Sequence, residues 1–191
     1  MEEYTKSYYK AINNEELDQA KMLSRVLTEL YNPKSVVDLG CGTGLYLAQF
    51  KCERKGYDFS TSAFDPEVRQ LPENEMFLAD LRLIDEQWGD RKFDLTICLE
   101  VVEHIGCEFA DNVVDNIVKT SNTIVMTASP PGQAGLNHVN CQPQKYWDEK
   151  FEKLGFYRDY HDEYQIISKI HQVPHTVWLI RNLMVYKKYE I

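Results

Sequence analysis

The sequence predicts an α/β fold built on a largely parallel, helix-covered sheet. Three observations predict it: short apolar runs of strand length alternate with segments of helical period, the first run leads into a glycine cluster, and polar residues gather just after the runs. Alternating strands and helices imply right-handed crossovers. In such sheets ligands bind beyond the carboxyl ends of the strands, near the point where strand order reverses. The 191 residues, 43% apolar and 27% charged, suit one domain over residues 1–191 and exclude a wholly disordered chain.

Residues 13–31 read as the first helix. Asn13 and Glu16 have the spacing of a capping box, Leu17, Ala20, Leu23, Leu27 and Leu30 recur at helical period, and Asn32-Pro33 stops the run. Residues 35–39 read as a buried strand, followed by a helical stretch at 45–50. Further strands end at 55–58 and 76–80, a fourth covers 93–99 and a fifth 123–127. A helix with Val113, Val114, Ile117 and Val118 on one face lies between the last two, and another spans 146–154. Beyond Phe156 the pattern is less regular. Tyr164, Ile166, Ile167 and Ile170 suit an amphipathic helix stopped by Pro174, and 178–187 reads as the final strand.

Composition narrows the function classes. No stretch approaches the roughly 18 apolar residues of a membrane span, and the opening residues MEEYTKSYYK lack the apolar centre of a signal peptide. Five cysteines, odd in number and without a CxxC pair, read as reduced thiols of a cytoplasmic protein. The net charge of −9 is concentrated in residues 1–141, which carry −10, while residues 142–191 carry +1. An acidic body argues against a grip on phosphate backbones and suits a small or cationic ligand.

The strongest motif is Asp38-Leu39-Gly40-Cys41-Gly42-Thr43-Gly44. Glycines after a strand allow a tight turn and close backbone approach, and the next helix offers free N–H groups at its positive end. A dinucleotide fingerprint would need GxGxxG, but position 45 is Leu. The spacing is GxGxG, with an acid two residues before the first glycine.

This loop resembles motif I of the class I S-adenosylmethionine-dependent methyltransferases. The resemblance implies a Rossmann-like three-layer sandwich, with a mostly parallel seven-stranded sheet and a final antiparallel strand. It also implies S-adenosyl-L-methionine as cofactor. In that family the loop wraps the methionyl part of the cofactor, an acid ending the second strand holds the ribose hydroxyls, and a residue after the third contacts adenine. Asp58 and Asp80-Leu81 match those positions. The implied cofactor-binding set is Asp38, Gly40, Cys41, Gly42, Thr43, Gly44, Asp58, Phe59, Asp80, Leu81, Leu99 and Glu100, within a core at 33–156.

After the fourth strand stands Glu100-Val101-Val102-Glu103-His104. A helix starting near Glu100 would put Glu100, Glu103 and His104 on one face. The segment is similar to the E-V-x-E-H stretch of ubiquinone-pathway O-methyltransferases and of enzymes methylating the 3′-terminal 2′-hydroxyl of small RNAs, where it is associated with a divalent metal. His138, in the loop 129–140, completes a possible set of Glu100, Glu103, His104 and His138 for Mg²⁺, Mn²⁺ or Zn²⁺. Alternatively His104 or His138, with Glu100 beside them, takes the acceptor's proton. Ser129-Pro130-Pro131 lies after the fifth strand and ends in Gly132, so it reads as a stiff loop and not as the [DNS]-P-P-[YF] signature of amino-group DNA methyltransferases.

Residues 1–31 are expected to supply a lid (Tyr4, Tyr8 and Tyr9) and a helix. Residues 157–178 are expected to be a substrate-region insert walled by Tyr157, Tyr160, Tyr164, Trp178, His161, His171 and His175. The expected function is methyl transfer to an oxygen or nitrogen of a small molecule. Metal-assisted 2′-O-methylation of an RNA end, or a non-catalytic module that holds the cofactor, are the alternatives.

Overall fold

The computed structural model describes residues 4–83, 92–174 and 176–190. Its centre is one seven-stranded sheet in the order β3-β2-β1-β4-β5-β7-β6. The strands are β1 (Ser35–Leu39), β2 (Glu53–Asp58), β3 (Met76–Leu78), β4 (Leu95–Cys98), β5 (Thr123–Thr127), β6 (Phe156–Arg158) and β7 (Leu183–Lys188). Neighbours from β3 through β5 pair parallel, and β7 runs antiparallel to both β5 and β6. The predicted antiparallel last strand is therefore present, but it lies inside the sheet and β6 forms that edge.

Helices cover both faces, as parallel strands buried on two sides require. On one face, α3 (Ala110–Thr120) and α4 (Gln144–Lys153) pack Val113, Ile117, Trp147 and Phe151 against Val37, Leu39 and Met126. On the other, α2 (Leu17–Tyr31) and α5 (Tyr160–Ile170) pack Leu23, Leu27, Ile166 and Ile170 against Val36, Leu95, Ile97 and Val185. Alternation along β1 sends Val37 and Leu39 to the first face and Val36 and Asp38 to the second. Asp38 thereby points to the side where the N-terminal helix α1 (Lys6–Glu15) lies. At the far edge, Arg158 joins β6 to α5 and α4 through Glu163 at 2.6 Å and Asp148 at 3.4 Å.

Several elements differ from the sequence expectation. The helix predicted at 13–31 is two helices: α1 is capped by Thr5, whose hydroxyl accepts the Tyr8 N–H, and α2 starts only at Leu17. Asn13 lies inside α1, and Glu16 makes no capping bond, because both side chains are used across space. Tyr8 and Tyr9 therefore sit on a helix and do not precede one. The helical stretch at 45–50 shrinks to a single tight turn, Leu47–Gln49, and the helix expected from Glu100 to the turn Val102–His104. The predicted strand 178–187 begins as a helix, α6 (Val177–Asn182), before β7. This winding delivers the fully buried Asn182 to a hydrogen bond with Glu100.

Strand order reverses between β1 and β4, and here the two walls of the crevice touch. Gly40 sits at φ +81°, and a Cβ there would collide with the side chain of Val101, just beyond β4. Only glycine meets both demands. Gly40→Ala is expected to lower unfolding free energy in urea by about 1–3 kcal/mol or more, from backbone strain plus the clash. Gly132→Ala, at φ +86° but facing open space, should cost about 1 kcal/mol. Equal losses would show that the Val101 contact is not the constraint.

Candidate active site

The glycine loop closes on backbone bonds. The N–H groups of Gly40 and Cys41 both donate to the Tyr57 carbonyl, at 2.7 and 3.0 Å, and the Thr43 carbonyl accepts the Gln70 N–H at 2.8 Å. Thr43 donates its hydroxyl to Asn13 at 2.6 Å, and Asn13 donates in turn to the Val68 carbonyl at 2.7 Å. Helix α1 is thus pinned to the loop by one asparagine.

Below the loop lies a cavity of about 170 Å³. The sheet side contributes Asp38, Gly40, Cys41, Gly42, Thr43, Leu99 and Glu100, and the helical side Tyr8, Tyr9, Ile12, Glu16 and Trp178. Its walls contain acids and aromatic rings but, among the described residues, neither Lys nor Arg. Asp38 is 3% exposed, and burial raises its pKa, with the Asp58 charge adding to the effect. Burial likewise lifts Glu16 and Glu100 to about 7; the Tyr46 hydroxyl, 3.1 Å from Glu16, works against this, and the Glu103 charge adds to it at Glu100.

At the tip of β2, Asp58 accepts the Gly42 and Ser60 N–H groups, one on each oxygen and both at 2.7 Å. Burial raises its pKa while these donors hold it down. Each oxygen keeps a lone pair for a ligand hydroxyl. Beside it the Phe59 ring is 66% exposed, with the Arg82 guanidinium 5.3 Å from its centroid. Asp80 holds Arg82 at 2.6 Å, and that contact keeps the carboxylate's pKa low. Leu81 differs: its side chain is buried in the core and its carbonyl accepts from Asn116.

Beyond β4 the chain bends sharply, with Glu100 at φ +52°, an unusual conformation for a side-chain-bearing residue. The Glu100 N–H donates to the Thr127 hydroxyl at 2.7 Å, and its carboxyl accepts from Asn182 at 2.9 Å and Gln133 at 3.4 Å. The Ser129 hydroxyl lies 2.8 Å from Glu103 and 3.3 Å from Glu100. Glu103 is fully buried beside the Glu100 carboxyl, its pKa raised by that burial, and its Oε2 accepts from no donor among the described residues.

Ligand atoms of Glu103, His104 and His138 all lie within 4.8 Å of one another. The two imidazoles meet edge to face with centroids 4.9 Å apart. His138 Nδ1 is 3.3 Å from the Gln133 carbonyl, and His104 Nδ1 is 3.1 Å from the Tyr4 hydroxyl. Burial lowers the His104 pKa, and His138 adds to this. Of the four-residue set the sequence suggests, three come together. Glu100 stands outside the trio and faces the cavity, because its bend turns it to Asn182.

Of the residues expected to wall a substrate region at 157–178, Trp178 lines the cavity described above. Tyr160 and Tyr164 are 64% and 72% exposed, His161 and His171 are exposed, and Tyr157 packs on Tyr189 at the sheet edge. His175 lies outside the described residues. Conversely, Asn13, Glu16 and Tyr46 belong to the site and were not foreseen there. The capping-box spacing hides the first two, and nothing local distinguishes the third.

Residues 9–169 match the family described as a methyltransferase domain. The ubiquinone biosynthesis O-methyltransferase of Rickettsia bellii is 27% identical over 115 residues, which cover 58% of this chain and 44% of that protein. The chain therefore spans less than half the length of the curated relatives it matches. Solved structures share the fold. The methyltransferase domain of bacterial CtHen1-C aligns with TM-score 0.60 and 18% identity over 91% of this chain and 100% of its own. S-adenosylmethionine-bound CalS10, an amino pentose methyltransferase from Micromonospora echinaspora, aligns with TM-score 0.64 and 15% identity over 90% and 91%. No helix among the described residues is long and apolar enough to cross a membrane. With the glycine loop, the strand-tip acids and the family match together, the chain belongs to the class I S-adenosylmethionine-dependent methyltransferases.

Proposed function

We propose that the protein transfers the methyl group of S-adenosylmethionine to an oxygen or nitrogen atom of a small-molecule acceptor. One observation carries the reading: a cation-seeking cavity under the glycine loop adjoins, through Glu100, a compact Glu103–His104–His138 group. A module that only held the cofactor would not need that second group. When bound, S-adenosylmethionine supplies an electrophilic methyl group on a sulfonium sulfur.

The chain's own residues then have three tasks. Asp58 accepts from the ribose hydroxyls, while Phe59 and Asp80 flank the base. The loop from Asp38 to Gly44 and Glu100 shape the methionyl end, and α1 with Tyr8 and Tyr9 closes it against water. His104 or His138 takes the acceptor's proton, at Nε2 in each case, because Nδ1 already faces Tyr4 or the Gln133 carbonyl. Alignment of acceptor and methyl group supplies the larger part of the rate, up to about 7–11 kcal/mol.

The same trio fits a divalent cation. One carboxylate and two imidazoles are suitable donors, and the buried, unpartnered Oε2 of Glu103 is the kind of atom a cation would satisfy. A metal held there would polarise an acceptor hydroxyl. This favours an oxygen acceptor and keeps 2′-O-methylation of an RNA end as a second reading, against which stands the acidic body.

Asp58→Ala should weaken S-adenosylmethionine binding by about 1.5–3 kcal/mol in calorimetry, and unchanged affinity would refute the ribose assignment. His138→Ala should reduce kcat about 10²- to 10⁴-fold at unchanged cofactor affinity; parallel loss of both would contradict its acceptor-side place. If the Glu103–His104–His138 group holds a metal in place of acting as base, chelator treatment should abolish turnover, and added Mg²⁺, Mn²⁺ or Zn²⁺ should restore it. Turnover indifferent to chelator removes the metal. Labelled cofactor incubated with metabolite and RNA panels tests the whole reading, which fails if no class of acceptor becomes labelled.

A further inference from the structure

We propose that Glu16 is a cofactor-binding residue, whose carboxylate at the joint of α1 and α2 receives the ammonium of the cofactor's amino-acid end. Its place in the chain suits a capping role, since it is the residue from which α2 springs, yet its side chain makes no capping bond. It turns instead into the cavity, where the Tyr46 hydroxyl donates to Oε2 at 3.1 Å. No partner for Oε1 is found among the described residues. A carboxylate that forgoes the helix end for a half-enclosed cavity meets a desolvation cost that only a ligand of opposite charge offsets.

A second acid of the cavity makes the same demand. Asp38 is 3% exposed, lines the same cavity, and its carboxyl has no hydrogen-bond donor among the described residues. No Lys or Arg among the described residues lines the cavity, and Tyr8 and Trp178 complete walls that favour an organic cation over a hydrated metal ion. The elevated pKa of Glu16, about 7, fits a group whose counter-charge arrives with the ligand. Asn13, one turn earlier, pins α1 to Thr43 of the glycine loop, so a ligand gripped by Glu16 is held between the helix joint and the loop.

The assignment rests on S-adenosylmethionine as the occupant, and the test separates the two claims. Calorimetry is run on the wild type and on Glu16→Gln with three ligands: S-adenosylmethionine, S-adenosylhomocysteine and 5′-methylthioadenosine, which keeps the nucleoside and lacks the amino acid. We expect Glu16→Gln to weaken the first two by about 10- to 100-fold and to leave the third unchanged. Unchanged binding of all three overturns the assignment, as does equal loss of all three, which marks a fold defect. Loss confined to S-adenosylmethionine also overturns it, because it places Glu16 at the sulfonium. Should the wild type bind none of the three, the methyltransferase reading itself fails. If Glu16→Gln does not fold, as judged by its thermal midpoint, Glu16→Asp replaces it; that variant draws the charge back by one methylene and is read in the same way.

Discussion

Five carboxyl groups are withdrawn from water around one crevice, and no Lys or Arg among the described residues is paired with any of them. Asp38, Asp58, Glu16, Glu100 and Glu103 come from the tips of β1, β2 and β4 and from the α1–α2 joint, and none appears in an ion pair among the described residues. Burial drives every one of their pKa values upward. Where the fold needs a buried charge for its own sake it supplies the partner, as Arg158 is placed between Glu163 and Asp148. The crevice acids are left for something that binds. A sulfonium, an ammonium and a divalent cation are the positive charges that a methyl-transfer site of this shape can be offered.

Helix α1 connects the two halves of that crevice. Near its start Tyr4 reaches His104 on the acceptor side, in its middle Tyr8 and Tyr9 roof the cavity, and at its end Asn13 and Glu16 meet the glycine loop and the methionyl end. These groups are carried by one ten-residue helix and the residues at its two ends.

The sheet was legible in the sequence because its central strands are buried on both faces. Such strands are written as unbroken apolar runs, and Val36-Val37, Ile97-Cys98 and Ile124-Val125-Met126 could be nothing else. The acids at the ends of β1 and β2 stood out through the resemblance of the glycine-loop motif, which implies a place for each. What failed to show has a common physical origin. Asn13 and Glu16 carry a local capping spacing but spend their side chains on Thr43 and Tyr46, partners 30 residues away in each case. Residues 178–182 are apolar enough for a strand, yet the demand for Asn182 beside Glu100 winds them into helix. β6 has only three residues and is defined by its pairing with β7. The separation of Glu100 from the histidines depends on one left-handed backbone angle, which periodicity does not register.

Where the acids stand along the crevice also bears on rate. Methyl transfer from a sulfonium disperses positive charge as the new bond forms. A carboxylate pressed against the sulfur would therefore stabilise the reactant more than the transition state and slow the step. A carboxylate at the amino-acid end holds a charge that does not change during the reaction, so it contributes affinity without raising the barrier. Glu16, at the helix joint, is suited to that second role if it meets the ammonium. On the reacting side stands His104, whose pKa is depressed by burial and by His138, so that it is neutral near pH 7 and free to accept a proton. Charge that only anchors is kept at one end of the site, and a neutral base at the other.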